Sequence, residues 1–114
     1  MAARANLFIE QGSTFISDVS VKDIDGGPFD LTGHTASAKM ALGYASTRTR
    51  VTISTEVNSD PTTGIIILSL SADQTKVLDA PARYVYDIEI LKTSDSTVTR
   101  VIEGIISVSP NVTI

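Results

Sequence analysis

Along most of this chain apolar and polar residues alternate with a period of two, which is the pattern of strands that set one face against a core. In "HTASAKMAL", residues 34 to 42, His34, Ala36, Ala38, Met40 and Leu42 share a face opposite Thr35, Ser37 and Lys39. In "RVTISTEV", Val51, Ile53, Thr55 and Val57 oppose Arg50, Thr52, Ser54 and Glu56. The clearest case is "RYVYDIEI", where Tyr84, Tyr86, Ile88 and Ile90 alternate with Arg83, Val85, Asp87 and Glu89. β-Branched and aromatic residues suit a pleated, half-buried surface, so Tyr84 and Tyr86 are expected inside.

The run "TVTRVIEGIISVS" is apolar on both faces, with Val98, Ile102, Ile106 and Val108 on one and Val101 and Ile105 on the other. That predicts a central strand, or one whose outer face meets a partner. Gly104 in its middle marks a bulge or a close backbone approach. Polar stretches such as "NSDPTTG" and "KTSDST" have the chemistry of hairpin connections, which makes neighbouring strands antiparallel.

One segment breaks the alternation. In "SADQTKVLDAP", Ser71 can cap a helix with Gln74 reaching back, Val77 and Leu78 face inward, and Pro81 stops it. The expected strands cover 5–10, 13–22, 34–42, 49–57, 64–70, 83–91 and 98–109. Together they predict an all-β fold, an immunoglobulin-like antiparallel β-sandwich of about seven strands with one short helix near 72–79 that crosses between sheets.

At 114 residues the chain is sized for a single domain, 1–114, and 42% hydrophobic against 19% charged residues is a globular composition. Nine Lys and Arg against 13 Asp and Glu give a net charge of -4, so no global positive field attracts nucleic acid or anionic membrane. The absence of cysteine removes disulfides and thiolate chemistry. The amino terminus carries no apolar run of signal-peptide type, and the longest apolar run, "IIIL", is too short to span a bilayer.

The stretch "DIDGGPFDLTGHT", 23 to 35, opens like a calcium loop. Such a loop places oxygen ligands at its first, third and fifth positions, Gly at the sixth and Glu at the twelfth. From Asp23 those places hold Asp23, Asp25, Gly27, Pro28 and His34, so the last three depart from the template. Asp23, Asp25 and Asp30 remain a weak metal set, and turn residues are the favoured reading. His34, the one histidine, has no second nitrogen or sulfur ligand type near it in sequence. Asp87 and Glu89 share an outer face, where Arg100 on the next strand is the expected ion-pair partner. Lys39, Arg48 and Arg50 form a small basic group without interleaved aromatics, read as a docking or salt-bridge surface. No cofactor is implied, and no acid, base and nucleophile set can be assembled, so the chain reads as non-enzymatic.

The segments "FDLTGHTASAKMAL", "TGIIILSLSADQT", "RYVYDIEI" and "VTRVIEGIISVSPNVT" occur in an order that resembles a small domain of tailed-bacteriophage structural proteins. The likeness is to the amino-terminal domain of baseplate upper proteins and to short virion proteins of cyanophage type. It covers residues 29 to 113, and departs where "APAR" lacks the Pro-Gly usual before the tyrosine strand. It implies a virion protein, made in the host cytoplasm, that acts by assembly as a capsid-decoration, neck or tail accessory subunit. Its implied partners are copies of itself and other virion proteins. The interface candidates are Leu7, Phe8, Ile9, Val85, Val101, Ile105, Arg48 and Arg50, with 1–12 and 110–114 as docking arms able to add a strand to a neighbour's edge. The competing expectation is a carbohydrate-binding or adhesive module, including a baseplate or fibre adaptor. Such modules expose aromatics, and this chain has no Trp, three Tyr and three Phe.

Overall fold

The computed structural model describes residues 3–45 and 49–112. Its strands are β1 (Ala3–Arg4), β2 (Leu7–Glu10), β3 (Phe15–Ser20), β4 (His34–Ala41), β5 (Val51–Val57), β6 (Ile65–Leu70), β7 (Ala82–Lys92) and β8 (Thr97–Ser109). Among the described residues one α-helix, α1 (Ala72–Lys76), joins β6 to β7, and a 3-10 turn at Pro61–Thr63 precedes β6. The fold is all-β and sandwich-like, as the alternation predicts. β1 and β2 are two pieces of one interrupted strand, so eight segments do the work of the seven expected.

The order across the sheet is β1-β8-β7-β4-β5-β6-β3, with β2 continuing the β1 edge along β8. β5 carries the sheet around: Val51 to Ile53 pair with β4, and Ser54 to Val57 pair with β6. The curled sheet thereby closes over its own inner face. That face holds Ile53, Ile66, Leu68, Ile88, Ile102 and Ile106, all essentially buried, with Met40, Tyr84 and Tyr86 among them. Each is an alternate residue of its strand, which is why the period of two located the core.

The expectation of a wholly antiparallel sheet needs one correction. β1 and β2 run parallel to β8, with Ala3 opposite Ile102 and Leu7 opposite Ile106. The chain turns at Gln11 to Ser13 into β3, which pairs with β6 on the opposite edge, so β2 and β8 meet through tertiary packing and not through a hairpin. No local turn signal specifies that contact.

Gly104 makes a close backbone approach. A Cβ built there would lie 2.1 Å from the carbonyl oxygen of Ala5. Ala5 sits at the break between β1 and β2, where its carbonyl accepts the Tyr86 hydroxyl proton and its amide donates to Glu103 at 3.0 Å. Asn6 fills the gap in the ladder, its Oδ1 accepting the Ile105 amide at 3.2 Å. The bulge lies elsewhere: Ile88 pairs with Ile102 but Glu89 with Arg100, so Val101 is the extra residue of β8. That insertion reverses the faces beyond it and turns Val98 outward, 57% exposed beside Leu91, where simple alternation put it inside.

Burial pushes the Tyr86 hydroxyl up to about 12 from its ordinary 10.0. The sign follows from the proton count: above pH 10 the unfolded chain loses this proton first, so stability falls as pH rises toward about 12 and levels beyond it. Tyr86→Phe is expected to cost about 1–2 kcal/mol at neutral pH, because the Ala5 carbonyl loses its donor. It should also remove an alkaline decline of about 1 kcal/mol per pH unit. Urea melts of both proteins at neutral pH and across pH 9–11 check this; parallel curves would count against the assignment.

The helix is shorter than the two turns expected. Its capping box is formed, with the Ser71 hydroxyl accepting from the Gln74 amide at 3.2 Å and Gln74 Oε1 accepting from the Ser71 amide at 2.8 Å. The helix stops at Lys76, so Val77 falls on the outside at 81% exposure and Thr75 and Leu78 take the inward positions. The Ala80–Pro81 peptide that follows is cis.

Candidate functional site

The outer face of β4, β7 and β8 brings together several of the residues singled out by sequence. Strand register sets Ala41, Val85 and Ile105 side by side, the last two half-buried. Phe8 lies one row along, opposite Ser107, and is 76% exposed. Over part of this face lie Gly43 and Tyr44 of the loop after β4. Arg50 holds it, donating to the carbonyls of Ala45 at 3.0 Å and Tyr44 at 3.3 Å. Between loop and sheet is a cleft of about 60 Å³ lined by Lys39, Tyr44, Arg50, Val85 and Asp87. A cleft of that size holds about a water or two and suits surface contact better than an enclosed ligand.

Other interface candidates fall elsewhere. Ile9 is a core residue, 1% exposed, because parallel pairing with β8 points it inward with Leu7, which is half-buried. Val101 packs against the core from the bulge instead of standing on the outer face. Arg48 and residues 113–114 of the carboxy-terminal arm lie outside the described residues, as do residues 1–2. The remainder of the amino-terminal arm through Glu10 contributes the sheet's own edge strand. At the other end, the Asn111 amide donates to Gln11 Oε1 at 3.4 Å, and Val112 is exposed.

The weak metal set is committed to turn geometry. Asp23 Oδ1 accepts the amides of Asp25 at 2.9 Å and Gly27 at 3.1 Å. Asp30 Oδ1 accepts both the amide and the hydroxyl of Thr32, at 3.0 and 2.6 Å, and that hydroxyl is the main reason its carboxyl titrates below the usual range. Among the described residues, no three His, Cys, Asp or Glu side chains gather as a metal site would require.

His34 Nδ1 lies 3.0 Å from the Thr32 carbonyl, so that nitrogen carries the proton, and the ring meets Phe29 edge-on at 5.5 Å. This is a packing role at the mouth of β4. Asp87 pairs with Arg100, Oδ2 to Nε at 3.3 Å, as the sequence suggests, but diagonally, since the register sets Arg100 directly opposite Glu89.

Three accessible apolar residues stand outside the sites expected from the sequence. Tyr44 is 71% exposed, Ile24 is fully exposed beside a groove with Val21, Phe29 and Val101, and Ile16 is 67% exposed on β3. For Ile16 the signal was present: Phe15 and Val19 face the core, so the residue between them must face out. Compared with known proteins, the chain matches no family model and no curated protein.

Proposed function

We propose that this protein is a non-enzymatic structural subunit of a tailed-phage virion, acting by assembly in capsid decoration, the neck or the tail. The observation that carries the reading is the ordered set of segments from "FDLTG" through "VIEGIISVSP", which resembles small phage structural domains. The geometry is compatible with assembly: the sheet ends in two edge strands, β1/β2 and β3, and the outer face carries Phe8, Val85, Ile105 and Tyr44. Edge strands offer unpaired backbone groups to neighbours. Capsid, neck and tail contacts would all use such edges.

The test is location. Purified virions, analysed by mass spectrometry and by imaging at a resolution that traces the chain, are expected to contain it at a symmetric position in the particle. Its absence from virions sinks the reading. The exposed aromatics Phe8 and Tyr44 favour the carbohydrate-binding alternative to a lesser degree. Specific hits on a glycan array, lost in Tyr44→Ala, would put that alternative first.

A further inference from the structure

We infer that two copies of this chain pack face to face through the outer surface of β7, β8 and β2, about a two-fold axis that runs along the row of Val85 and Ile105. The inference rests on the assembly reading above and names the partner as a second copy. Strand register lays the outward side chains out in rows across the sheet. Asp87, Glu103 and Arg4 form one row, Val85 and Ile105 the next, and Arg83, Ser107 and Phe8 the third. Phe8 is 76% exposed, Arg4 and Arg83 are exposed, and Val85 and Ile105 lie half-buried between them. Gly43 and Tyr44 lie over the Ala41 end of the middle row, so the contact falls on the strands beyond β4.

Charge decides how two such faces meet. Stacked sheets keep their strands aligned to within about 30°, so the two-fold axis runs either across the strands or along them. An axis across the strands at the middle row turns each flanking row onto the other. Asp87 of one copy then meets Arg83 of the second, Glu103 meets Ser107, and Arg4 meets the Phe8 ring as a cation over an aromatic face. Val85 and Ile105 meet their own counterparts at the centre, as the self-complementary patch of a closed two-fold contact requires. Other axes lose this match. Moving the axis to the Asp87 row stacks Asp87 and Glu103 on themselves, and moving it to the Arg83 row stacks Arg83 on itself. An axis between rows sets the apolar pair against Asp87 and Glu103, or against Arg83 and Ser107. An axis along β7 or β8 opposes Asp87 to itself or Glu103 to itself, and one midway between those strands opposes Asp87 to Glu103. Within its own chain Arg4 pairs with Glu103 at 3.6 Å and Arg100 with Asp87 at 3.3 Å. Arg83, among the described residues, has no ion-pair partner in its own chain, and the second copy supplies one.

Because residue 83 of each copy meets residue 87 of the other, charge reversal tests the contact. Sedimentation equilibrium of the wild-type chain is expected to show the 12.1 kDa monomer giving way to a species of twice that mass, and nothing larger, as concentration rises. Arg83→Glu opposes two carboxylates and Asp87→Arg opposes two guanidinium groups, twice in each dimer. Each alone should raise the dimer dissociation constant by about a hundredfold. An equimolar mixture of the two should dimerise like wild type, since both pairs are again opposite in charge, and so should the double variant by itself. Ile105→Lys sets two ammonium groups on the axis and should abolish the dimer without changing either charged row. A wild type that stays monomeric up to millimolar concentration, a mixture that stays monomeric, or a single variant that dimerises like wild type overturns the inference. Dimers that none of the variants affects overturn this contact while leaving the virion reading intact, and absence from virions overturns that reading whatever the sedimentation shows.

Discussion

Gly104→Ala is expected to destabilise the protein by about 3 kcal/mol, the upper end of what overpacking a well-filled site costs. The added methyl would meet the Ala5 carbonyl oxygen at 2.1 Å and the Ala5 carbonyl carbon at 2.9 Å, and backbone cannot rotate away as a side chain can. The same carbonyl holds the Tyr86 hydroxyl, and Ala5 is tied to Glu103, so relief requires β1 and β2 to move off β8 together. For a domain near this size, that cost lowers Tm by roughly 15 °C. Hydrogen exchange distinguishes the consequence from general loosening: amides of residues 3–10 should lose protection first, with those of β6 and β7 following only near global unfolding. A melt within about 2 °C of wild type would count against this close approach as a source of stability. Because β2 supplies Ile9 to the core, a detached edge also uncovers apolar surface and should promote aggregation on heating.

Thr75→Val should cost a similar amount, about 3 kcal/mol, by a different route. Thr75 is fully buried, and its hydroxyl donates to the Ser13 carbonyl at 2.8 Å and accepts the Gly12 amide at 3.0 Å. It thereby pins the helix to the turn between β2 and β3. Valine keeps the volume but leaves a part-buried donor, the Gly12 amide, and a part-buried acceptor, the Ser13 carbonyl, without this partner. Thr75→Ser keeps the hydroxyl and gives up a methyl group, at about 1 kcal/mol. The stability order is therefore expected to be Thr, then Ser, then Val, read from denaturant midpoints at one temperature. A valine variant more stable than the serine variant would overturn the hydrogen-bond account and make packing the dominant contribution.

Residues of these two kinds show where sequence reading succeeds. Tyr84, Tyr86, Ile88 and Ile90 were placed inside by alternation alone, and the Ser71 to Gln74 capping box by its spacing, because both depend on geometry within one element. Gly104 was legible as a close approach, though not what approaches it. Thr75 was not legible. Threonine is common in this chain, and what singles this one out is a turn 62 residues away in sequence. Among the interface candidates, Val85 and Ile105 do meet on an outer face, while Ile9 and Val101 turn to the core, the first through parallel pairing and the second through a bulge.

The sequence by itself determined the class of the fold, the positions of its strands, most of its core and the turn chemistry of Asp23 and Asp30. Those features arise from period-two burial and from hydrogen bonds between residues a few positions apart, which the order of side chains specifies directly. Only the tertiary structure decided that the first strand lies parallel to the last and that β5 belongs to both halves of the sheet. It also decided that Val98 faces outward beside Arg100. Each of these depends on which distant segments share an edge, and a one-residue bulge is enough to exchange the two faces of a strand. The face on which two copies are proposed to meet comes from that same tertiary pairing.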